Sequence, residues 1–357
     1  MSLASFGHSR PFSIFYDDYR NACLIFVYSF FSKISKSCSR YITTSPRNIC
    51  QTMSVKLYHG TRFATSVLHL KPNHISALTP LFVWIPGNPG ILQYYEEMLQ
   101  RLHEKHDTWE ILAISHAGMS LEDPNVQKTK ATIYSLEEQI QHKVEVINQF
   151  SSENRPLIVM GHSVGAYMAQ HAILDNKLVG KVIKIGLITP TVIDIHLSQK
   201  GTQMTTGFYW LSGLPGIAAW TSNFLFNKLS YVPYTDYFVS FMMDSDKDSI
   251  PVTTSKRFLQ NSETVRQALG LAKLEMEQIR DDWPFQQKVI DFCNERNVRT
   301  WFLFSTNDHW VSENTRNALI KFYRERYIER NLEIQVVSDI AHSFVVKESK
   351  YIVDEYF

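Results

Sequence analysis

The sequence contains few cysteines and has almost no net charge. Four cysteines occur in 357 residues, and three of them, Cys23, Cys38 and Cys50, fall in the first fifty positions. With Cys293 they show no metal-ligand spacing, which favours reduced thiols in a protein that faces the cytosol. Lys and Arg number 36 against 35 Asp and Glu. A chain so nearly neutral has no general attraction to nucleic acid.

A long apolar run and acidic residues are missing from the N-terminal part. Between Asp18 and Glu96 there is no acidic residue, and the apolar stretch 23–31 has nine residues. A helix that spans a bilayer needs about 20. Residues 1–52 therefore have three interpretations: a weak targeting segment, a disordered extension, or the product of an upstream start codon. We favour the last two, with Met53 opening the folded domain.

Strand-like and helix-like segments alternate from residue 55 onward. The predicted strands are 81–85, 109–115, 157–160, 182–189, 300–305 and 332–337, and the predicted helices include 91–102, a helix opened by a capping box at 135–138, and 316–324. Alternation of this kind predicts an α/β fold, a mostly parallel sheet with helices on both faces, over residues 53–357.

The gap between the fourth and fifth of these strands is too long for a structureless loop. Residues 190–298 are therefore predicted to form an inserted cap. From 201 to 243 the only charged residues are Lys228 and Asp236, and aromatic residues are frequent. Pro215, between two nearby glycines, favours a bent hairpin over a spanning helix. This segment could cover the site and line an acyl pocket, anchor the protein in one lipid leaflet, or be plain core, and the first two are compatible.

A G-x-S-x-G pattern is the most informative motif of the chain. Residues 161–165 read GHSVG, after the apolar run 157–160 and before a stretch of good helix formers. Strand, sharp turn and helix are the context of a nucleophile elbow, which presents a reactive serine at the edge of the sheet. Ser163 is therefore the candidate nucleophile, whereas the pattern alone would fit a turn with a surface serine.

A serine nucleophile needs a histidine base and a carboxylate that orients it, which follow in the order Ser, Asp, His in hydrolases of this architecture. Asp308 follows the predicted strand 300–305, and His342 follows the last predicted strand by five residues. We predict these two as the acid and the base. The rival candidates are one histidine and four carboxylates: His309, Asp281, Asp282, Asp291 and Asp339.

Backbone donors for the developing oxyanion are predicted in two places. The sequence PGNPG at 86–90 follows the first predicted strand, where this architecture supplies one N–H group. Pro89 has no N–H, so Asn88 is the expected donor, and Val164 after the nucleophile is the second. The sequence has no phosphate-binding glycine loop, metal cluster or nucleotide fingerprint, so no cofactor is expected.

Six segments together resemble the lipid droplet-associated hydrolase family. They are PGNPG at 86–90, SHAG at 115–118, QHK at 141–143, GHSVG at 161–165, NDHW at 307–310 and AHSF at 341–344. The resemblance covers roughly residues 81–344. It implies an α/β-hydrolase fold, a Ser163–Asp308–His342 triad, residence on lipid droplets and endoplasmic reticulum, and a droplet-binding role for the apolar insertion. The substrates that it suggests are sterol esters or other neutral lipid esters.

Two functional hypotheses follow from these patterns. The first is a serine esterase or lipase that cleaves a lipid ester at a droplet or membrane surface through an acyl-enzyme. Thioester hydrolysis or acyl transfer would use the same residues. The second is a droplet-associated protein that organises lipid and has weak or vestigial esterase activity. The long, almost uncharged insertion motivates the second, and the ordered Ser, Asp and His candidates favour the first.

Overall fold

The described part of the chain is built around one eight-stranded β-sheet. The computed structural model describes residues 55–122, 132–211, 213–228 and 234–357, and the extension predicted over 1–52 lies outside them. The eight strands are β1 (Lys56–Tyr58), β2 (Thr65–Leu70), β3 (Leu81–Ile85), β4 (Glu110–Ile114), β5 (Pro156–His162), β6 (Lys181–Ile188), β7 (Arg299–Ser305) and β8 (Leu332–Val337). Their order is β1-β2-β4-β3-β5-β6-β7-β8. Strands β3 to β8 run parallel, and β1 and β2 add an antiparallel edge. The predicted, mostly parallel sheet is confirmed.

Helices connect the strands and cover both faces of the sheet. They are α1 (Glu96–Lys105), α2 (Leu136–Phe150), α3 (Val164–Leu174), α4 (Gln199–Trp210), α5 (Leu214–Asn223), α6 (Tyr234–Met243), α7 (Ile250–Gln260), α8 (Ser262–Gln278), α9 (Trp283–Arg296), α10 (Glu313–Arg326) and α11 (Ser349–Tyr356). Short 3₁₀ turns occupy Leu92–Tyr95, Ile195–Leu197, Glu329–Asn331 and Phe344–Val346, and a π-helical turn occupies Phe224–Lys228. The predicted capping box at Ser135 is present at the start of α2.

Alternate side chains of each central strand enter different cores because a strand points successive residues to opposite faces. Val83 belongs to the core that holds α2 and α3. Its neighbour Trp84 packs on the other face with Leu99 of α1 and Ile352 of α11. All four side chains are fully buried. A sheet covered on both faces leaves its carboxyl edge as the place where side chains reach a crevice.

The predicted insertion 190–298 corresponds to the segment between β6 and β7, which is mainly helical in its described part. We call helices α4 to α8, residues 199–278, the cap, because residues of α4, α6 and α8 line the crevice at the carboxyl edge of the sheet. Helix α9 instead packs against α3 and leads directly into β7. It is the ordinary crossover helix that two parallel strands require. The predicted range 190–298 therefore combines the cap with one helix of the sheet domain.

The apolar segment 201–243 is divided between core and surface. Phe208, Leu214 and Phe226 are buried, whereas Trp210 is 76% exposed and Phe241 is 81% exposed. We call its exposed aromatic residues the cap aromatic residues: Tyr209, Trp210, Trp220, Phe224, Tyr237, Phe238 and Phe241. Helices α4 and α5 meet near Pro215 and are short. Within the described ranges, no helix has both the length and the apolar character needed to cross a membrane.

Candidate active site

The turn between β5 and α3 places Ser163 at the carboxyl edge of the sheet. Ser163 has φ 55° and ψ −124°, a conformation that side-chain-bearing residues rarely adopt. A Cβ on Gly161 would lie 2.3 Å from the carbonyl oxygen of Gly165. A Cβ on Gly165 would lie 2.2 Å from the carbonyl oxygen of Ile85. Both flanking glycines are therefore required for the strand and helix to approach so closely, as in a nucleophile elbow.

The structure brings the three predicted side chains into one hydrogen-bonded chain. His342 Nε2 lies 2.9 Å from Ser163 Oγ. Its Nδ1 lies 2.8 Å from Asp308 Oδ2. The other carboxyl oxygen, Asp308 Oδ1, accepts the backbone N–H groups of Trp310 and Val311 at 2.7 and 3.1 Å. With a side chain only 2% exposed, Asp308 is held rigidly enough to fix the imidazole ring. This arrangement can activate a hydroxyl for nucleophilic attack.

The alternative candidates for the acid and the base have other hydrogen-bond partners or lie elsewhere in the structure. Asp282 caps α9, and Asp291 accepts a hydrogen bond from a side chain within the same helix. Asp339 accepts hydrogen bonds from two tyrosines of α11, and Asp281 is exposed. His309 accepts a backbone N–H group at its carbonyl oxygen. The partner of His342 Nδ1 is Asp308 and none of these carboxylates.

The loop at 86–90 lies against the elbow and against the cap. The Gly87 N–H donates to Tyr95 Oη at 2.9 Å, so this amide already has an acceptor. The Asn88 side chain turns toward α8, where Nδ2 donates to Ala268 O at 2.9 Å and to Glu275 Oε1 at 2.8 Å. The backbone of Asn88 is thereby held beside the nucleophile, and its N–H is the amide of this loop that we expect to face an oxyanion.

Val164 is the first residue of α3, directly after Ser163. The first N–H groups of a helix have no partner inside the helix, and the helix dipole favours negative charge there. Its amide is therefore suited to stabilise an oxyanion formed at Ser163. The structure places both predicted donors, Asn88 and Val164, on segments that flank the nucleophile.

A second chain of hydrogen bonds, which the sequence did not predict, joins the three loops of the site. Tyr95 Oη donates to His162 Nδ1 at 2.7 Å, and His162 Nε2–H donates to the carbonyl oxygen of His342 at 2.8 Å. A carbonyl only accepts, so the tautomer of His162 is determined. Burial lowers the pKa of His162 to about 3 and keeps the ring neutral. The GHSVG motif contained His162, but a motif alone gives no partner.

The SHAG and QHK segments form a buried polar cluster behind the loop at 86–90. Lys143 is fully buried and donates from Nζ to the carbonyl oxygen of Ser115 at 2.7 Å. The ring of His116 packs so closely on Gly90 that a Cβ there would lie 2.2 Å from it. Burial lowers the pKa values of Lys143, His116 and His142 well below their ordinary values. Two motifs of the resemblance therefore support the loop that carries Asn88.

A cavity of about 140 Å³ lies at Ser163, and the cap forms part of its wall. Met204, Met243, Ala272 and Glu275 of the cap line it together with the triad side. The rest of the wall consists of Asn88, Pro89, Tyr94, Tyr95, His162, Ile195, Trp310, Ser343, Val345 and Val346. Most of this lining is apolar or aromatic, which suits the hydrocarbon part of an ester.

The sheet order, the elbow and the covered edge define an α/β-hydrolase fold. Solved structures agree: a carboxylesterase of Nitrososphaera gargenis is similar with a TM-score of 0.52 at 12% identity, over 84% of this chain and 95% of that one. A haloalkane dehalogenase of Agrobacterium tumefaciens is similar with a TM-score of 0.56 at 14% identity, over 84% and 94%. Since these two proteins carry different activities, the fold alone does not decide the reaction.

The chain belongs to the lipid droplet-associated hydrolase family, whose model matches residues 78–345. A chicken (Gallus gallus) lipid droplet-associated hydrolase is 23% identical over 76% of this chain and 81% of its own length. The Drosophila melanogaster relative of the same name is 24% identical over 76% and 85%. The family resemblance read from the six sequence segments is confirmed.

Proposed function

We propose that this protein is a serine esterase that cleaves a neutral lipid ester, a sterol ester or another, at the surface of a lipid droplet. One observation carries the proposal: Ser163, His342 and Asp308 are linked by hydrogen bonds of 2.9 and 2.8 Å at the mouth of an apolar cavity. Family membership supports a hydrolase, and the apolar lining supports a lipid substrate. No cofactor enters the proposed reaction.

The proposed reaction has two halves. Ser163 Oγ attacks the ester carbonyl while His342 Nε2 takes its proton, and Asp308 stabilises the imidazolium that forms. The N–H groups of Asn88 and Val164 bind the oxyanion of the tetrahedral intermediate. His342 then protonates the leaving alcohol, and an acyl group remains on Ser163. Water then attacks the acyl carbonyl while His342 takes its proton, the bond to Ser163 Oγ breaks, and His342 returns the proton to Oγ as the acid is released.

The cap supplies the proposed contact with lipid. Its aromatic residues extend into solvent, and burying such side chains in a lipid interface is favourable by about 1.5–3 kcal/mol each. The names of the chicken and Drosophila relatives point to the droplet as that surface. Residence on droplets and endoplasmic reticulum, with the active site facing the cytosol, belongs to the same proposal.

A second candidate function rests on the same exposed aromatic residues. A droplet-bound protein that organises lipid would need them and would have little use for the hydrogen-bonded Ser, His and Asp. Slight residual esterase activity would then be incidental. The two functions differ in whether Ser163 reacts.

A fluorophosphonate probe tests the proposal, because it phosphonylates a serine that an adjacent histidine activates. We expect the folded protein to be labelled at Ser163 and to hydrolyse a short-chain p-nitrophenyl ester, and Ser163→Ala to do neither. Ser152→Ala, at an exposed serine before β5, is the matched control and should behave as wild type. A folded wild-type protein that remains unlabelled, or a Ser163→Ala variant that labels equally, would contradict the esterase and favour the organising role.

A further inference from the structure

Glu275 is an unusual residue to find in the wall of an apolar cavity. It belongs to α8 of the cap, is 4% exposed, and lines the cavity with Ser163 and His342. Among the described residues its carboxyl group takes part in no ion pair. A buried carboxylate without a cation is costly, so the group is stable there as the neutral acid. Burial accordingly raises the pKa of Glu275 to about 8.

The orientation of this carboxyl group is fixed by Asn88. Ala268 O can only accept, so the Asn88 atom beside it must be the amide nitrogen, which also donates to Glu275 Oε1. Oε1 is therefore the carbonyl-like oxygen of the acid. The proton is left on Oε2, which has no hydrogen-bond partner among the described residues. Glu275 thus adds an O–H donor to a mainly apolar wall whose other hydroxyl groups belong to Ser163, Ser343, Tyr94 and Tyr95.

The donor lines the same cavity as the proposed nucleophile. Glu275 is hydrogen-bonded to the side chain of Asn88, and the backbone N–H of Asn88 is the proposed oxyanion donor. An ester that fills this cavity and reacts at Ser163 therefore contacts the wall that contains Glu275. In a glycerol ester, another oxygen atom follows two carbons after the ester oxygen. In a sterol ester, that region is hydrocarbon and would leave the O–H unpaired.

We propose that Glu275 is a specificity-determining residue whose Oε2–H donates a hydrogen bond to a second oxygen of the substrate, so that the site favours glycerol esters over esters of hydrocarbon alcohols. The inference rests on the proposed hydrolysis by Ser163 and narrows its substrate. A donor left unpaired in a buried site costs about 1–3 kcal/mol, which corresponds to a discrimination of about 5- to 150-fold.

The test compares two soluble esters of similar size that differ at one acceptor-only oxygen, placed where the second oxygen of a glycerol ester would be: 2-methoxyethyl butyrate and butyl butyrate. The quantity measured is the ratio of their kcat/KM values. Glu275→Leu should lower this ratio about tenfold, because the variant has no donor. Glu275→Gln should retain it, since an amide N–H replaces the O–H at the same place. Glu277→Gln, on the exposed side of α8, is the matched control and should leave the ratio unchanged.

A pH series separates this role from a structural one. As the wild-type carboxyl ionises above about pH 8, Oε2 loses its proton and the ratio should fall. With Glu275→Gln the ratio should stay constant. The other titratable groups that line the cavity, Tyr94, Tyr95, His162 and His342, are shared by both proteins and cancel in the comparison.

The outcomes distinguish this inference from the proposed function. If wild type labels with the fluorophosphonate but Glu275→Leu labels equally and keeps the wild-type ratio, the role of Glu275 is wrong. If Glu275→Leu does not label, the pH series of wild type and Glu275→Gln decides, and parallel ratios overturn the inference. A wild-type protein that never labels overturns the proposed function instead.

Discussion

The carboxyl edge of the sheet and the cap differ in how tightly their side chains are packed. At the edge, Ser163, His342 and Asp308 each have a hydrogen-bond partner, and the glycines around Ser163 leave no room for a Cβ. In the cap, Trp210 and Phe241 extend into solvent, and a Cβ on Gly216 would meet nothing within 4 Å. The edge holds its side chains in one geometry, whereas the cap exposes large apolar side chains.

The residues proposed to carry the reaction therefore lie at the edge, and those proposed to bring lipid to the site lie in the cap. Side chains at the ends of parallel strands are positioned by the backbone of the whole sheet, so small errors there change rates strongly. Exposed cap residues are expected to act through the apolar area that they bury against lipid. Substitutions there should have smaller effects, which add when the residues lie far apart. Substitutions in the two regions should therefore differ in kind as well as in size.

The largest effect is expected from Asp308→Asn. The amide can still lie beside His342, but it cannot stabilise an imidazolium and it favours the wrong tautomer of the ring. If the proposed mechanism holds, turnover should fall about 10⁴-fold, as in serine proteases with the same substitution. The measurement is kcat for a soluble p-nitrophenyl ester, with folding checked by circular dichroism.

Asp339→Asn is the control for that substitution. Asp339 lies in the same loop region as His342 but bonds to tyrosines of α11. Its replacement should change kcat less than about threefold. An equal loss in both variants would mean that the contact between Asp308 and His342 is not what activates the site.

The next effect concerns stability and compares two glycines. Gly165→Ala would force a methyl group against the carbonyl oxygen of Ile85, with an expected loss of about 3 kcal/mol in the free energy of unfolding. Gly216→Ala lies in α5 with open space around it and should gain up to about 1 kcal/mol, because alanine favours a helix. Urea denaturation measures both. Opposite signs support the contrast between edge and cap, and equal signs would remove it.

The fold and the triad candidates were predictable because each depends on local sequence. Strand β8 coincides with the predicted 332–337, and the elbow strand is recognised from its apolar run and glycines. Predicted helix 91–102 instead begins as a 3₁₀ turn, which points Tyr95 Oη toward Gly87. That detail results from tertiary packing, which periodicity does not contain.

Contacts between distant segments could not be predicted. Asn88 and Glu275 are 187 positions apart, and nothing in the composition of α8 distinguishes Glu275 from the exposed Glu277 two residues later. Lys143 is a charge-bearing residue in the middle of α2, yet it is fully buried. Whether a charge-bearing residue is buried depends on which face of its helix or strand is covered. A single sequence shows the covered face only where apolar residues recur at regular spacing.

The cap aromatic residues provide a third, smaller effect. The double variant Trp210→Ala/Phe241→Ala should bind phospholipid-coated triolein droplets about tenfold more weakly or worse, because two large apolar side chains no longer enter the interface. Hydrolysis of a soluble ester should be unchanged. Flotation of the protein with droplets measures the binding. Leu78→Ala, an exposed apolar residue outside the cap, is the control, and an equal loss there would contradict a cap-specific surface.

The smallest effect uses pH, because the two regions respond to acid with opposite signs. His116, His142 and His162 are buried beside the edge, and burial lowers their pKa values below the ordinary 6.5. As the pH falls below about 6.5, the unfolded chain takes up protons that the folded state does not, so these residues reduce stability in acid. Glu275 of the cap has its pKa raised from 4.5 to about 8. Its folded form keeps a proton that the unfolded chain releases, so falling pH increases its contribution until about pH 4.5 is reached.

Stability should therefore decline between about pH 7 and about pH 5.5, with each buried histidine lowering it by about 1 kcal/mol per pH unit and Glu275 partly offsetting the loss. Glu275→Gln removes the offset and should make the decline steeper by about 1 kcal/mol per unit, whereas His162→Gln should make it shallower by a similar amount. Urea denaturation at the two pH values gives the slopes, and Glu277→Gln serves as the control. Parallel slopes for wild type and Glu275→Gln would mean that Glu275 is ionised in the folded protein. That result would remove the donor on which the proposed choice of glycerol esters depends.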